Sequence, residues 1–191
     1  AEMMWWVDFF NRAFFKDEPV PVPVISFERT RVTNLGHYVI GRNAFGVLDN
    51  ININQMHLHR PLWNLLATLL HEMTHSWEYL YVPEAKRTKN WFHKVMFRQK
   101  LASFGIMSEE KGMHLGYGDP FVYLLRPHGV KFVVPEGGQV TKDGVIKVPP
   151  EKKQKGKSKL KKWSCGCTNV RVAVKLKAMC LKCGNIFELQ E

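Results

Sequence analysis

The chain has 191 residues, 45% hydrophobic and 24% charged, enough for one ordinary domain with a real core plus a small appendage. Its 28 Lys and Arg against 17 Asp and Glu give a net charge of +11. That excess points to a polyanionic partner, most simply nucleic acid, with plain basic solubility as the alternative. No apolar stretch is long enough to span a bilayer, and no membrane partner is expected.

From the N-terminus, residues 3–15 repeat at helical spacing. Trp5, Trp6, Phe9, Phe10, Ala13 and Phe14 form one stripe, opposite Asp8, Asn11 and Arg12. Those polar interruptions make it a core-packing helix and not a signal peptide. Pro19, Pro21 and Pro23 end it and lead into extended chain. Short strands are predicted at Val24–Arg29, His37–Gly41 and Val47–Asn54. The last alternates Val47, Asp49, Ile51 and Ile53 with Leu48, Asn50, Asn52 and Asn54, the pattern of a half-buried strand with one polar face.

Pro61 opens a central helix whose apolar residues Leu62, Leu65, Leu66, Leu69, Leu70, Met73 and Trp77 recur at three- and four-residue steps, and Pro83 stops it. A second helix is predicted from Asn90 to Phe104, closed by Gly105. Phe121–Leu125 reads as helix or strand, and Phe132–Val134 and Val145–Val148 as short strands. Residues 147–162 hold eight Lys and one Glu and read as a basic linker. The expected division is therefore 1–146, the linker 147–162, and a small C-terminal unit 163–191.

The central helix carries His71-Glu72-Met73-Thr74-His75, an H-E-x-x-H string. Positions i and i+4 share a helix face, so both imidazoles can reach one zinc ion. Glu72 then stands beside the metal as acid/base for water and leaving amine. Such a centre needs a third protein ligand and an open position. His37, His57, His59, His93, His114 and His128 are the candidates. His93, on the next predicted helix, is the choice. Tyr117 or His114 is a candidate for assisting an oxyanion.

All four cysteines lie between 165 and 183, which suits a metal site in a reducing compartment better than a disulfide scaffold. Cys165-x-Cys167 and Cys180-x-x-Cys183, with twelve residues between the pairs, match a closed structural zinc site, a zinc ribbon. Between the pairs, Asn169–Lys177 alternates so that Arg171, Lys175 and Lys177 share one side of a hairpin, with Trp163 and Phe187 flanking it. Cations for phosphates and an aromatic for base stacking suit binding to single strands. A solvated face and a packed aromatic are the plain alternative.

His71-Glu72-Met73-Thr74-His75-Ser76-Trp77, His93-x-x-x-Phe97, Phe104-Gly105-Ile106 and the cysteine-bearing tail together resemble the SprT-like zinc metallopeptidase family, the Spartan-type proteases. The resemblance runs from about residue 20 to the end. The stretch from His75 to His93, with Lys86, Arg87 and Lys89, departs from the family, whose members often carry Gly beside the third His. The resemblance implies an α+β zincin-like metallopeptidase domain, a small mixed sheet packed on the H-E-x-x-H helix, joined to a C-terminal zinc ribbon. It implies His93 as third ligand and two zinc ions, one catalytic and one structural. It also implies DNA binding through Trp163, Arg171, Lys175 and Lys177, to single-stranded or partly unwound DNA.

The function that follows is zinc-dependent endoproteolysis of proteins bound or crosslinked to DNA. The strand 47–54 is expected to hold the substrate backbone. The expected location is cytoplasmic and nucleoid-associated, or nuclear in a eukaryote. The alternatives are a zinc-ribbon nucleic-acid-binding protein with an idle peptidase site, or a general zinc peptidase indifferent to DNA.

Overall fold

The computed structural model describes residues 2–41, 48–82, 93–142, 145–148 and 160–190. The chain divides into two units, Ala1–Pro150 and Glu151–Glu191. The architecture is mixed α/β, with three small sheets and, among the described residues, four α-helices. None of those helices is long and apolar enough to cross a membrane.

In the first unit, α1 (Glu2–Phe14) buries Trp6, Val7 and Phe10. Trp5, expected on the buried stripe, stays exposed and stacks on Phe9. Asn11 closes the turn that follows: its amide donates to the Val20 carbonyl and accepts from the Val20 N–H. Three short strands come next. They are β1 (Val24–Ser26), β2 (Gly36–Val39) and β3 (Asn50–Ile53). Each is shorter than its sequence pattern predicts, and residues 42–47 lie outside the described residues. β3 is central, parallel to β1 and antiparallel to β2.

The polar face expected on β3 is not solvated. Asn52 and Asn54 are fully buried beside Ile51 and Ile53. Their amides serve the backbone of the loop that crosses them. Asn52 accepts from the Glu28 N–H and donates to the Glu28 carbonyl, at 2.6 and 3.2 Å. Asn54 accepts from the N–H groups of Thr30 and Met56 and donates to the carbonyls of Arg31 and Asn34. An amide side chain offers both donors and acceptors, so it can satisfy main-chain groups of a loop that has no strand partner of its own.

The central helix α2 runs Leu62–Tyr81, with Pro61 as its N-cap. Every residue from Leu65 to Thr74 is buried, so the helix is enclosed and not merely amphipathic. Its apolar side joins α1, β3, Phe97, Leu101 and Phe121 in one core. Glu18 ties this core at its rim. One carboxylate oxygen accepts from Lys100 Nζ at 2.6 Å and from Trp77 Nε1 at 2.7 Å, and the Lys100 ammonium sits 4.5 Å over the Trp77 ring.

Helix α3 begins at Val95 and ends at Ser103, later than predicted; residues 90–92 lie outside the described residues. Gly105 then turns the chain at φ +92, where a Cβ would stand 2.4 Å from the Gly118 carbonyl oxygen. An antiparallel sheet follows in the order β4-β5-β7-β6, with β4 (Ile106–Ser108), β5 (His114–Tyr117), β6 (Gln139–Val140) and β7 (Ile146–Lys147). Phe121–Leu125 is helix α4. Phe132–Val134 is not a strand. Phe132 instead packs from a loop onto Trp63 and Phe121.

The second unit is a three-stranded antiparallel sheet in the order β10-β8-β9, with β8 (Lys161–Ser164), β9 (Asn169–Val172) and β10 (Glu188–Gln190). Its core is Trp163, Cys165, Cys180 and Phe187. The predicted linker loses both ends to strands, since Lys147 belongs to β7 and Lys161 and Lys162 to β8. Residues 149–159 between them lie outside the described residues.

Candidate metal centres

Helix α2 presents His71, Glu72 and His75 from consecutive turns. His93 arrives differently from the sequence expectation. It lies on extended chain before α3, whose N-cap is Lys94. Its backbone N–H donates to the Glu110 carbonyl at 2.8 Å, which holds the residue against the β4–β5 turn and out of the helix.

The three imidazoles nonetheless converge. Nε2 of His93 lies 3.0 Å from Nε2 of His71 and 3.1 Å from Nε2 of His75. Two ligands at a tetrahedral zinc stand about 3.3 Å apart, given metal–nitrogen bonds of about 2.0–2.1 Å. These three residues could therefore hold a metal ion. Phe97 lies under all three rings, with centroids 5.0, 4.3 and 4.7 Å from those of His71, His75 and His93. The spacing His93-x-x-x-Phe97 thus has a packing reason.

On their outer sides the rings meet other groups. Nδ1 of His71 lies 3.0 Å from Nε2 of His114, and Nδ1 of His93 lies 3.2 Å from the Glu110 carbonyl. Nδ1 of His75 faces the Glu78 carboxylate at 3.7 Å. Outer partners of this kind leave Nε2 lone pairs pointing inward. With every ring hydrogen on Nδ1, the three Nε2 lone pairs meet at distances that one metal ion satisfies, so the donor set fits a metal. Desolvation holds the pKa of His71 well below the usual value, and that of His93 down to about 4.

Glu72 is buried, and desolvation raises its carboxyl to about 7, partly offset by the charge of His75. Beside it runs β2. A Cβ on Gly36 would stand 3.0 Å from Glu72 Oε1 and 2.9 Å from Thr68 Cγ2, so glycine leaves the carboxylate its room. The Tyr38 hydroxyl donates to Asp49 and lies 3.3 Å from Ser76 Oγ, which fixes β2 against α2 one residue past His75. Among the described residues β2 pairs on one side only, with β3. β3 is paired on both sides, so the Asn50–Ile53 part of the strand expected over 47–54 has no edge to offer a substrate.

The oxyanion role considered for His114 or Tyr117 does not match their placement. His114 lies behind His71, its Nδ1 3.0 Å from the Tyr117 hydroxyl, and burial holds its pKa down to about 3.

In the second unit, Sγ of Cys167 lies 3.5 Å from that of Cys165 and 3.6 Å from that of Cys180. All four thiol sulfurs, Cys183 included, lie within 4.8 Å of one another. Sulfurs on a tetrahedral zinc are about 3.8 Å apart for bonds of about 2.3 Å, so this set also could hold a metal ion. Backbone N–H groups of Cys183 and Lys182 draw the Cys180 thiol down to about 6. Hydrogen bonding with Cys183 and the other two thiols pushes Cys167 up.

The nucleic-acid residues proposed from sequence separate. Trp163 is 7% exposed and packs in the core of the second unit with Phe187, so its ring is not available to stack on a base. β9 ends at Val172, so Lys175 and Lys177 lie beyond the strand and its alternation does not place them. Arg171 stays on the exposed face, and its register partner is Lys162, also exposed. Lys162 was hidden in a sequence run that reads as linker. No family model, curated protein or solved structure matches the chain.

Proposed function

We propose that the first unit is a zinc-dependent endopeptidase of the SprT-like, zincin type. We propose further that the chain degrades proteins bound or crosslinked to DNA. One observation carries the hydrolase reading. Three inward-facing Nε2 atoms, 3.0 and 3.1 Å apart across His93, adjoin a buried carboxyl raised to about 7.

His71, His75 and His93 would hold the ion. When bound, zinc supplies a positive charge that polarises a scissile carbonyl and acidifies water at its open position. Glu72 takes the proton of the attacking water and returns it to the leaving amine. The edge of β2 away from β3 pairs with an extended substrate backbone, which reads little side-chain identity. Gly36 keeps that edge close to Glu72.

The four cysteines would hold a second, structural zinc. The DNA reading now rests on the net charge and on the Arg171–Lys162 pair, without the stacking aromatic. Glu72→Gln tests the whole reading. Cleavage of a DNA-bound protein should fall by about 10²–10⁴-fold, with metal content and DNA affinity unchanged. A wild type that binds DNA but cleaves no bound protein favours the idle-site alternative. Cleavage that ignores added DNA favours the general peptidase.

A further inference from the structure

An imidazole that binds a metal through Nε2 carries its hydrogen on Nδ1, and that hydrogen needs an acceptor. Two of the three acceptors come from one hairpin, β4–β5. Its turn supplies the Glu110 carbonyl to His93. Gly112, at φ +82, lies so close to the His93 ring that a Cβ there would stand 2.3 Å from Cε1. The first residue of β5 is His114, whose Nε2 lies 3.0 Å from Nδ1 of His71.

We infer that the β4–β5 hairpin is the outer frame of the histidine centre, and that His114 is a positioning residue for His71. The inference rests on the reading of His71, His75 and His93 as ligands. His114 Nε2 accepts the Nδ1–H of His71, which turns the lone pair of His71 Nε2 inward. To accept there, His114 must keep its own hydrogen on Nδ1. The Tyr117 hydroxyl, 3.0 Å from that nitrogen, receives it. The chain of donors therefore runs one way, from His71 to His114 to Tyr117. Reversing the His114 tautomer would place a donor against His71 Nδ1 and move the hydrogen of His71 onto the ligating nitrogen.

The test uses the full chain loaded with Co²⁺, read by visible absorption and by competition with a chelator. His114→Ala should weaken the histidine centre by about 10- to 100-fold and alter its cobalt spectrum. The thiolate cobalt bands of the cysteine centre should persist. His114→Gln, whose carbonyl can accept in place of Nε2, should recover most of the affinity. Tyr117→Phe, a milder change that keeps the ring, should weaken binding several-fold in the same direction and covers the case in which His114→Ala fails to fold. Wild-type affinity and spectrum in both His114→Ala and Tyr117→Phe overturn the inference alone. A wild type that binds no cobalt outside the cysteines overturns the ligand reading and this inference with it.

Discussion

The two candidate metal centres are assembled in opposite ways. The histidine set is drawn from the middle of an enclosed helix, a stretch of extended chain and the acceptors of a distant hairpin. His71 is buried, and His75 and His93 half-buried, against the large apolar core of the first unit. The cysteine set comes from two short turns 13 residues apart, in a unit whose core is four residues with a few partly buried neighbours. A core that small does not hold a fold alone. On the proposed reading, metal at the first centre, with three protein donors, would serve chemistry. Metal at the second would serve folding, with four donors and none to spare.

The largest effect should separate them. Cys180→Ser is expected to unfold the second unit outright, since structural zinc sites supply the folding free energy themselves. The first unit should keep the dispersed amide signals of a folded domain in a two-dimensional NMR spectrum. His75→Ala should strip the histidine centre of metal and leave both units folded. Collapse of the first unit in His75→Ala would erase the distinction.

Acid should act on the histidine centre through its buried neutral rings. His93 and His114 are held near 4 and 3 in the folded protein, against about 6.5 when unfolded. Between those values the unfolded chain binds more protons, so stability rises with pH across the window. The metal-free protein should therefore lose stability as pH falls from about 6.5 toward 4, seen as a falling urea midpoint of the first unit. Glu72, raised to about 7, takes up a proton more readily in the folded state and offsets one ring over the upper part of the window, leaving a net loss from the remaining buried histidines. A midpoint that rises steadily as pH falls to 4 would contradict the burial assigned to these rings.

Smaller effects concern the surfaces. Replacing Lys162 and Arg171 together by alanine should lower the salt slope of DNA binding by about one to two phosphate contacts, with no change in peptidase turnover on a free peptide. An unchanged slope would return the charge to a role in solubility. Glu18→Gln should cost roughly 1 kcal/mol, the scale of a charge-assisted hydrogen bond discounted for a partly exposed site. Lys100 and Trp77 hold the Glu18 carboxyl below its usual pKa, so the wild type's share of this stability should fade as pH falls through that depressed value.

The histidine pair on α2 was legible because helical spacing is local: residues four apart must share a face. Both cysteine pairs were legible because their spacing, two and three residues, is as local as a single turn. The placement of His93 was half legible. Its spacing to Phe97 marked it, but helical periodicity wrongly carried α3 back over it, because nothing local reveals the Glu110 carbonyl that holds it out. The β4–β5 hairpin was invisible. Its strands are three and four residues long, carry Gly116 and Ser108, and are defined only by each other. With it went His114 as an outer partner. Trp163 misled because alternation cannot say which face of a strand meets a core. Cys165, Cys180 and Phe187 decided that, and they gather only after folding.

The two asparagines under the loop at 27–35 carry a last consequence. The path of that loop is written largely in β3, since Asn52 and Asn54 meet the main-chain groups of Glu28, Thr30, Arg31 and Asn34. The loop's own side chains are thereby free to drift over generations while its trace stays put. Asp in place of Asn54 would keep the outline and forfeit two donors, leaving an anion facing two carbonyls. The segment leading into β2 would be evicted by an exchange of a single amide for a carboxylate.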